Sequence, residues 1–206
     1  MQYLQIHPVN PQPRLISQAV AIVRHGGVIV YPTDSCYALG CHIGDKAAME
    51  RIARIRRLDP GHNFTLVCRD LSDLSTYARV GNQEFRLLKS LTPGPYTFIL
   101  TASHEVPRRL QNPRRKTIGL RIPDQPIVHA LLEALDEPLM SVTLILPDSS
   151  QPLSDPEEMR ERLGNQVDAI IDGGNCGGEP TSIIDLTGDV PRVVRQGKGD
   201  TAFLTG

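Results

Sequence analysis

Apolar residues along the chain follow two spacings, one typical of buried strands and one typical of amphipathic helices. Short continuous apolar runs predict strands at 28–31, 64–68, 96–100, 117–122, 139–146, 167–171, 182–186 and 192–194. Apolar residues three and four positions apart predict helices that begin near Leu15, after Asp45, at Glu84, at Ile127 and after Asp155. Strands that alternate with helices predict an α/β fold with a mainly parallel or mixed sheet.

The chain length of 206 residues fits one domain that buries a sizeable core. Residues 1–13 are rich in proline and predict an extended N-terminal arm, which leaves 14–206 as the domain. No apolar run approaches the ~20 residues that a membrane span needs. The 4 cysteines and 6 histidines lack the spacing of metal ligands, so we expect no metal site and a cytoplasmic protein with reduced thiols.

The segment from Gly26 to Cys41 joins a predicted strand to a polar loop. Pro32 ends the strand because it cannot donate to a sheet ladder, and Thr33, Asp34 and Ser35 follow it directly. In open α/β sheets, ligands bind at the ends of strands. These three residues are therefore candidates for a binding site, although an ordinary exit from a strand into a loop uses the same residue types.

Positive charge is concentrated in the first part of the chain. Residues 1–124 hold 17 Lys and Arg against 9 Asp and Glu, whereas residues 125–206 hold 5 against 14. Of the 22 basic residues 18 are arginine, whose planar fork suits bidentate contacts with phosphate. The distribution favours an anionic ligand near the first part. The alternative is a set of solvated helix faces that pair with the acidic part.

Several short motifs occur in one order along the chain. They are Gly26-Gly27, Pro32-Thr33-Asp34-Ser35-x-Tyr37-x-Leu39, Arg54-x-Arg56, Pro93-Gly94-Pro95-x-Thr97, Gly119-x-Arg121-x-Pro123, Ser141-x-Thr143, Pro180-Thr181-Ser182-x-x-Asp185 and Arg195-x-Gly197. With these motifs the sequence resembles the YrdC/YciO family of threonylcarbamoyl-AMP synthase-like proteins over nearly its whole length. Tyr37-Ala38-Leu39 and Asn63-Phe64-Thr65 are similar to the YciO branch.

The resemblance implies a YrdC-like (YrdC/RibB-type) fold, a twisted mixed sheet flanked by helices with a concave, positively charged cavity. It implies that ATP, with Mg²⁺, reacts with bicarbonate and L-threonine to give threonylcarbamoyl-AMP, the precursor of a modified adenosine in tRNA. The family's catalytic Lys-x-Arg pair falls on Arg54 and Arg56, and its Ser-x-Asn pair falls on Ser141 and Thr143. Arginine in place of lysine and threonine in place of asparagine predict slow or absent synthesis.

Further site residues follow from the same resemblance. We expect the nucleotide to contact Arg54, Arg56, Arg57, Thr117, Ser141, Thr143 and Arg195. The small acid is expected at Thr33, Ser35, Arg121 and Ser182, with Arg121 binding its carboxylate.

The alternative function is a non-catalytic protein that grips double-stranded RNA or tRNA by its phosphates. It would use the basic run Arg108, Arg109, Arg114, Arg115 and Lys116. An aromatic content of 4% disfavours base stacking on single strands.

Overall fold

The structure is a computed structural model that describes residues 1–204. Its strands are β1 (Gln2–Gln5), β2 (Ile29–Tyr31), β3 (Ala38–His42), β4 (Thr65–Val67), β5 (Tyr96–Thr101), β6 (Thr117–Arg121), β7 (Leu139–Thr143), β8 (Ala169–Asp172), β9 (Ser182–Asp185) and β10 (Arg192–Arg195). Its α-helices are α1 (Pro13–Arg24), α2 (Lys46–Arg56), α3 (Leu71–Tyr77), α4 (Asn82–Leu91), α5 (Pro126–Leu135) and α6 (Pro156–Leu163). Short 3-10 turns lie at Arg108–Leu110 and Ala202–Leu204.

The strands form one 10-stranded sheet in the order β1-β8-β2-β3-β7-β4-β6-β5-β9-β10. Strand β8 pairs in parallel with β1 and β2, and the pairs β4–β6 and β5–β9 are also parallel. The other neighbours are antiparallel. This arrangement confirms the predicted α/β fold with a mixed sheet flanked by helices.

Helices cover both faces of the sheet, because successive side chains of a strand point to opposite faces. On one face, α1 and α5 pack against apolar residues that include Ile29, Ala38 and Ile171. On the other face, α2, α3, α4 and α6 pack against a core that includes Leu66 and Val142. The sheet therefore separates two hydrophobic cores.

Local chemistry sets the ends of the helices. The side chain of Asp45 accepts a hydrogen bond of 2.8 Å from the backbone N–H of Ala48, which caps the start of α2. Helix α1 ends shortly before Gly26, whose φ of 81° lies in the left-handed region that suits glycine. Of the helices within residues 1–204, none is long and apolar enough to cross a membrane.

The sequence predicts neither β3 nor α3. Gly40 interrupts the apolar pattern of β3, and α3 buries only Leu74 fully, so both signals are weak. Residues 1–13, predicted as an extended arm, include β1, which pairs with β8 and adds an edge strand to the sheet.

Candidate active site

Small hydroxyl side chains lie on the part of a sheet face that α1 and α5 leave open. Ser141 and Thr143 belong to β7, Thr65 to β4 and Thr97 to β5. They lie on the face opposite to Leu66 and Val142, because those residues alternate with them along the strands. The hydroxyl groups thus gather near the middle of the sheet.

Strand register brings these residues together around a glycine. Thr65 pairs with Ser141 on one side and with Gly119 of β6 on the other. A Cβ atom on Gly119 would lie 2.9 Å from Oγ1 of Thr65 and 3.3 Å from Cγ2 of Thr97. A side chain here would fill the space between the two threonines, so glycine keeps that space open.

The space is a narrow cavity of about 30 Å³, which is close to the volume of one water molecule. It is lined by Ser35, Cys36, Tyr37, Ala38, Thr65, Thr97, Arg121, Ser141, Val142, Thr143 and Thr181. Of the predicted site residues, the cavity brings together Ser35, Arg121, Ser141 and Thr143. Thr65, Thr97 and Thr181 are site residues that the sequence does not predict, although all three lie within the motifs.

Internal hydrogen bonds hold several of these hydroxyls in place. The hydroxyls of Ser141 and Tyr31 are 2.6 Å apart, and those of Thr97 and Thr181 are 2.8 Å apart. Burial raises the pKa of Tyr31 to about 12, so its phenol is neutral at physiological pH. The hydroxyl of Thr143 has no hydrogen-bond partner within residues 1–204, which leaves it free to contact a ligand.

Arg121, which lines the cavity, belongs to a buried ion pair. The guanidinium of Arg121 donates to Oδ1 of Asp34, and the side chains are 9% and 10% exposed. The other carboxylate oxygen of Asp34 accepts a hydrogen bond of 2.9 Å from the backbone N–H of Asp124, and Lys198 donates to the carbonyl of Asp34. The carboxylate that Arg121 binds in this structure is therefore an internal one. The sequence predicts Asp34 as a candidate binding residue of the loop but not its pairing with Arg121.

Thr33 and Ser182 are engaged with backbone atoms. Thr33 donates to the carbonyl of Cys36 at 2.6 Å and accepts from the backbone N–H of Ser35 at 3.1 Å. Ser182 is fully buried, donates to the carbonyl of Gly199 and accepts from the N–H of Gly197. Both hydroxyls stabilise loops, so the geometry does not support the predicted contacts of Thr33 and Ser182 with substrate.

Arg56 and Arg195 do not line the cavity, but each donates to a backbone carbonyl of a neighbouring segment. Arg56 donates to the carbonyl of Ile145, two residues beyond Thr143, and burial lowers its pKa from the ordinary value. Arg195 donates two hydrogen bonds, of 3.0 and 2.8 Å, to the carbonyl of Thr181. Each arginine places positive charge beside a strand that carries a cavity residue.

Arg54 lies away from the cavity. Positions two apart on a helix project about 200° apart, because an α-helix has ~3.6 residues per turn. Arg54 is exposed and lines a separate surface groove that also contains Arg57. The predicted pairing of Arg54 with Arg56 in one cleft is therefore not what the structure contains.

Thr117 also lies outside the cavity. Thr117 pairs with Thr101 of β5. Thr117 lies four positions before Arg121 on β6, and four positions correspond to about 13 Å along a strand. Thr117 therefore does not line the cavity but lies on the same open sheet face, and its contact with the nucleotide stays a prediction.

Two arginines of the basic run at 108–116 form hydrogen bonds with other parts of the chain. Arg109 donates to the carbonyl of Ile43 at 2.9 Å, and Arg115 donates to the carboxylate of Asp185 at 2.9 Å. Burial opposes ionisation of Asp185, but hydrogen bonds from Thr187 and Arg115 outweigh it and lower the pKa of Asp185 to about 2. RNA binding by this run stays a prediction.

Comparison with known proteins gives consistent matches. A family model described as "Sua5_yciO_yrdC: Telomere recombination" matches residues 21–197. The protein YciO of Escherichia coli K12 is 65% identical over 199 residues, 97% of each chain. Threonylcarbamoyl-AMP synthase of Alkalilimnicola ehrlichii is 32% identical over 166 residues, 80% of this chain and 86% of the relative.

Two solved structures of related proteins superpose on this chain. The crystal structure of E. coli YciO superposes with a TM-score of 0.94 at 65% identity and covers 97% of both chains. The structure of P. abyssi Sua5 complexed with L-threonine superposes with a TM-score of 0.88 at 24% identity, covering 96% of this chain and 58% of that one. At that identity the second match concerns the fold alone.

Proposed function

Because the chain belongs to the Sua5/YciO/YrdC family, we propose that it is an ATP-dependent nucleotidyltransferase that forms threonylcarbamoyl-AMP. One observation carries the proposal. A cavity lined by hydroxyl groups and the buried Arg121 lies on the open sheet face of a chain that is 32% identical to a threonylcarbamoyl-AMP synthase. L-Threonine, bicarbonate and ATP are the proposed substrates, and the product would supply a tRNA modification in the cytoplasm.

The proposed reaction needs positioning and positive charge rather than a side-chain nucleophile. Threonine and bicarbonate give a carbamate and water, and a carbamate oxygen attacks the α-phosphorus of ATP. The bond between that phosphorus and the bridging oxygen breaks, and diphosphate leaves with the electron pair. Charge then develops on phosphate oxygens, where hydroxyl and guanidinium donors stabilise it.

Residues around the cavity suit these roles. Ser141, held by the buried Tyr31, and the unpartnered hydroxyl of Thr143 would donate to the phosphate. Arg56 and Arg195 would flank the leaving diphosphate, while Arg121 would bind the carboxylate of threonine after exchange with Asp34.

Mg²⁺ would enter the site as part of the substrate. Within residues 1–204, no group of three or more His, Cys, Asp or Glu side chains could hold a metal ion. No carboxylate is among the lining residues of the cavity, and Asp34 is paired with the lining residue Arg121. The ion would therefore enter coordinated to the phosphates of ATP.

Slow turnover is part of the proposal. An asparagine amide donates and accepts at once, whereas the threonine hydroxyl at 143 is shorter. Loss of one donor aimed at developing charge typically costs ~10²–10³ in rate. We therefore expect this chain to form the adenylate more slowly than a synthase with asparagine at this position.

The test is release of diphosphate from ATP with bicarbonate and a panel of amino acids, with the adenylate identified by mass spectrometry. We expect release to require both bicarbonate and threonine and to fall in Ser141→Ala. Ser90→Ala is the matched control, because Ser90 is an exposed helix serine that bonds only the carbonyl of Leu87. Absence of any adenylate, or equal activity in Ser141→Ala and the natural protein, would overturn the proposal.

A further inference from the structure

Tyr31 of β2 contacts a residue of the cavity without lining the cavity itself. It is fully buried in the core under α1 and α5, and its hydroxyl group lies 2.6 Å from Oγ of Ser141, which does line the cavity. Ser141 belongs to β7, and β3 lies between β2 and β7 in the sheet. The side chain of Tyr31 therefore crosses β3 to reach Ser141.

Gly40 of β3 provides the space for this crossing. Gly40 pairs with Ser141 in the sheet, and a Cβ atom at position 40 would lie 2.8 Å from Cε1 of Tyr31. That distance is well below the roughly 3.5–4.0 Å at which carbon atoms pack. Any other residue at position 40 would displace the ring, so Gly40 and Tyr31 together bring a phenolic hydroxyl to Ser141.

The hydrogen bond between the two hydroxyl groups has a preferred direction. Each hydroxyl can donate one hydrogen bond, and Tyr31 has no hydroxyl partner other than Ser141 within residues 1–204. If Ser141 donated to Tyr31, the buried phenolic proton would have no acceptor and its full desolvation cost would remain. Tyr31 therefore donates and Ser141 accepts. Burial also raises the pKa of Tyr31 to about 12, so the phenol keeps the proton that it donates.

Donation by Tyr31 leaves the hydroxyl proton of Ser141 available to a ligand. The side chain of Ser141 forms no other hydrogen bond in the part of the chain that the structure describes. Because its oxygen accepts from the phenol, its own O–H bond points to another partner, and Ser141 lines the cavity. A donor held in this way suits an anionic oxygen in the cavity.

We propose that Tyr31 is a positioning residue that fixes Ser141 as a hydrogen-bond donor to a phosphate oxygen in the cavity. The proposal rests on the proposed function, which places a phosphate group beside Ser141, and it adds the residue that orients this serine. Tyr31 does not touch the substrate. Without the phenolic hydroxyl, the hydroxyl of Ser141 would rotate freely and would point to the phosphate only part of the time.

Release of diphosphate from ATP, with bicarbonate and threonine, is measured for Tyr31→Phe and the natural protein. Phenylalanine keeps the ring beside Gly40 and removes only the hydroxyl group. Loss of a whole donor typically costs ~10²–10³ in rate, whereas Tyr31→Phe keeps the donor and frees its orientation, so we expect a smaller fall in kcat, about tenfold. Tyr96→Phe is the matched control, because Tyr96 is also buried, donates to the carbonyl of Asp200 at 2.9 Å and does not line the cavity.

A double-mutant cycle with Ser141→Ala separates positioning from a structural role. If Tyr31 acts through Ser141, Tyr31→Phe should change kcat by less than about twofold once the serine hydroxyl is absent. The same tenfold fall in both backgrounds would show that the phenol supports the fold around the cavity, and it would overturn the proposal. An unchanged kcat in Tyr31→Phe, or a failure of that variant to fold by circular dichroism, would also overturn it.

The same cycle measured on ATP binding, by calorimetric titration, distinguishes this proposal from the proposed function. We expect Tyr31→Phe to weaken ATP binding in the natural protein but not in Ser141→Ala. Coupling in ATP binding without any adenylate would refute the proposed reaction and support the role of Tyr31. Adenylate formation without coupling in either measurement would do the reverse, and no binding of ATP by the natural protein would overturn both.

Discussion

The buried ion pair between Asp34 and Arg121 gives the sharpest test of the site, through the variant Asp34→Asn. The variant keeps the shape of the side chain but removes its charge, so Arg121 stays buried opposite a neutral amide. Removal of one partner of a buried ion pair typically costs about 3–5 kcal/mol. Because asparagine still accepts a hydrogen bond, we expect a loss near the lower limit, about 3 kcal/mol.

Urea denaturation measures this loss. With a slope of about 2 kcal/mol per M, a loss of about 3 kcal/mol shifts the midpoint by about 1.5 M. Asp148→Asn is the control, since Asp148 pairs with Arg162 at the surface and its substitution should leave the midpoint unchanged.

Ligand dependence adds a second readout. If Arg121 binds the carboxylate of the substrate, L-threonine should raise the urea midpoint of Asp34→Asn more than that of the natural protein. The reason is that in the variant L-threonine does not compete with the carboxylate of Asp34 for Arg121. An unchanged midpoint in Asp34→Asn without ligand would refute the reasoning that the pair is buried and stabilising. An equal rise of the urea midpoint with threonine in both proteins would refute the competition between threonine and Asp34 for Arg121.

Four further outcomes follow from the structure. Gly119→Ala should abolish adenylate formation while the protein still folds, as circular dichroism would check, because the added methyl fills the cavity. Thr143→Asn should raise the rate of adenylate formation, whereas Arg54→Lys should add nothing, because Arg54 lies outside the cavity. The pKa of Asp185 is lowered from 3.8 to about 2, so its contribution to stability should be complete above about pH 4 and should be lost as the pH drops from about 4 towards 2. In Asp185→Asn, the free energy of unfolding measured by denaturation should depend less on pH in this range. If the 108–116 run binds duplex RNA, affinity should fall steeply with salt, and affinity independent of salt would count against it.

The sequence predicts most of the sheet because most strands, though not β1 and β3, carry their own apolar run. Helix starts are predicted equally well where a capping side chain such as Asp45 marks them. What the sequence does not reveal depends on contacts between distant positions. The Asp34–Arg121 pair joins residues 87 positions apart, and the cavity depends on the space left beside Gly119. The motif predicts Arg54 in the cavity, but its position on helix α2 places it in a separate surface groove.

The size of the cavity limits which part of a nucleotide it could take. A pocket that encloses a ligand usually measures about 300–1,000 Å³, whereas this cavity measures about 30 Å³. The same sheet face continues past it over the half-buried Ile99, Thr101 and Ile183. Under the proposed function, the reacting phosphate and carboxylate would therefore lie at the cavity, and the rest of ATP would lie across this open face.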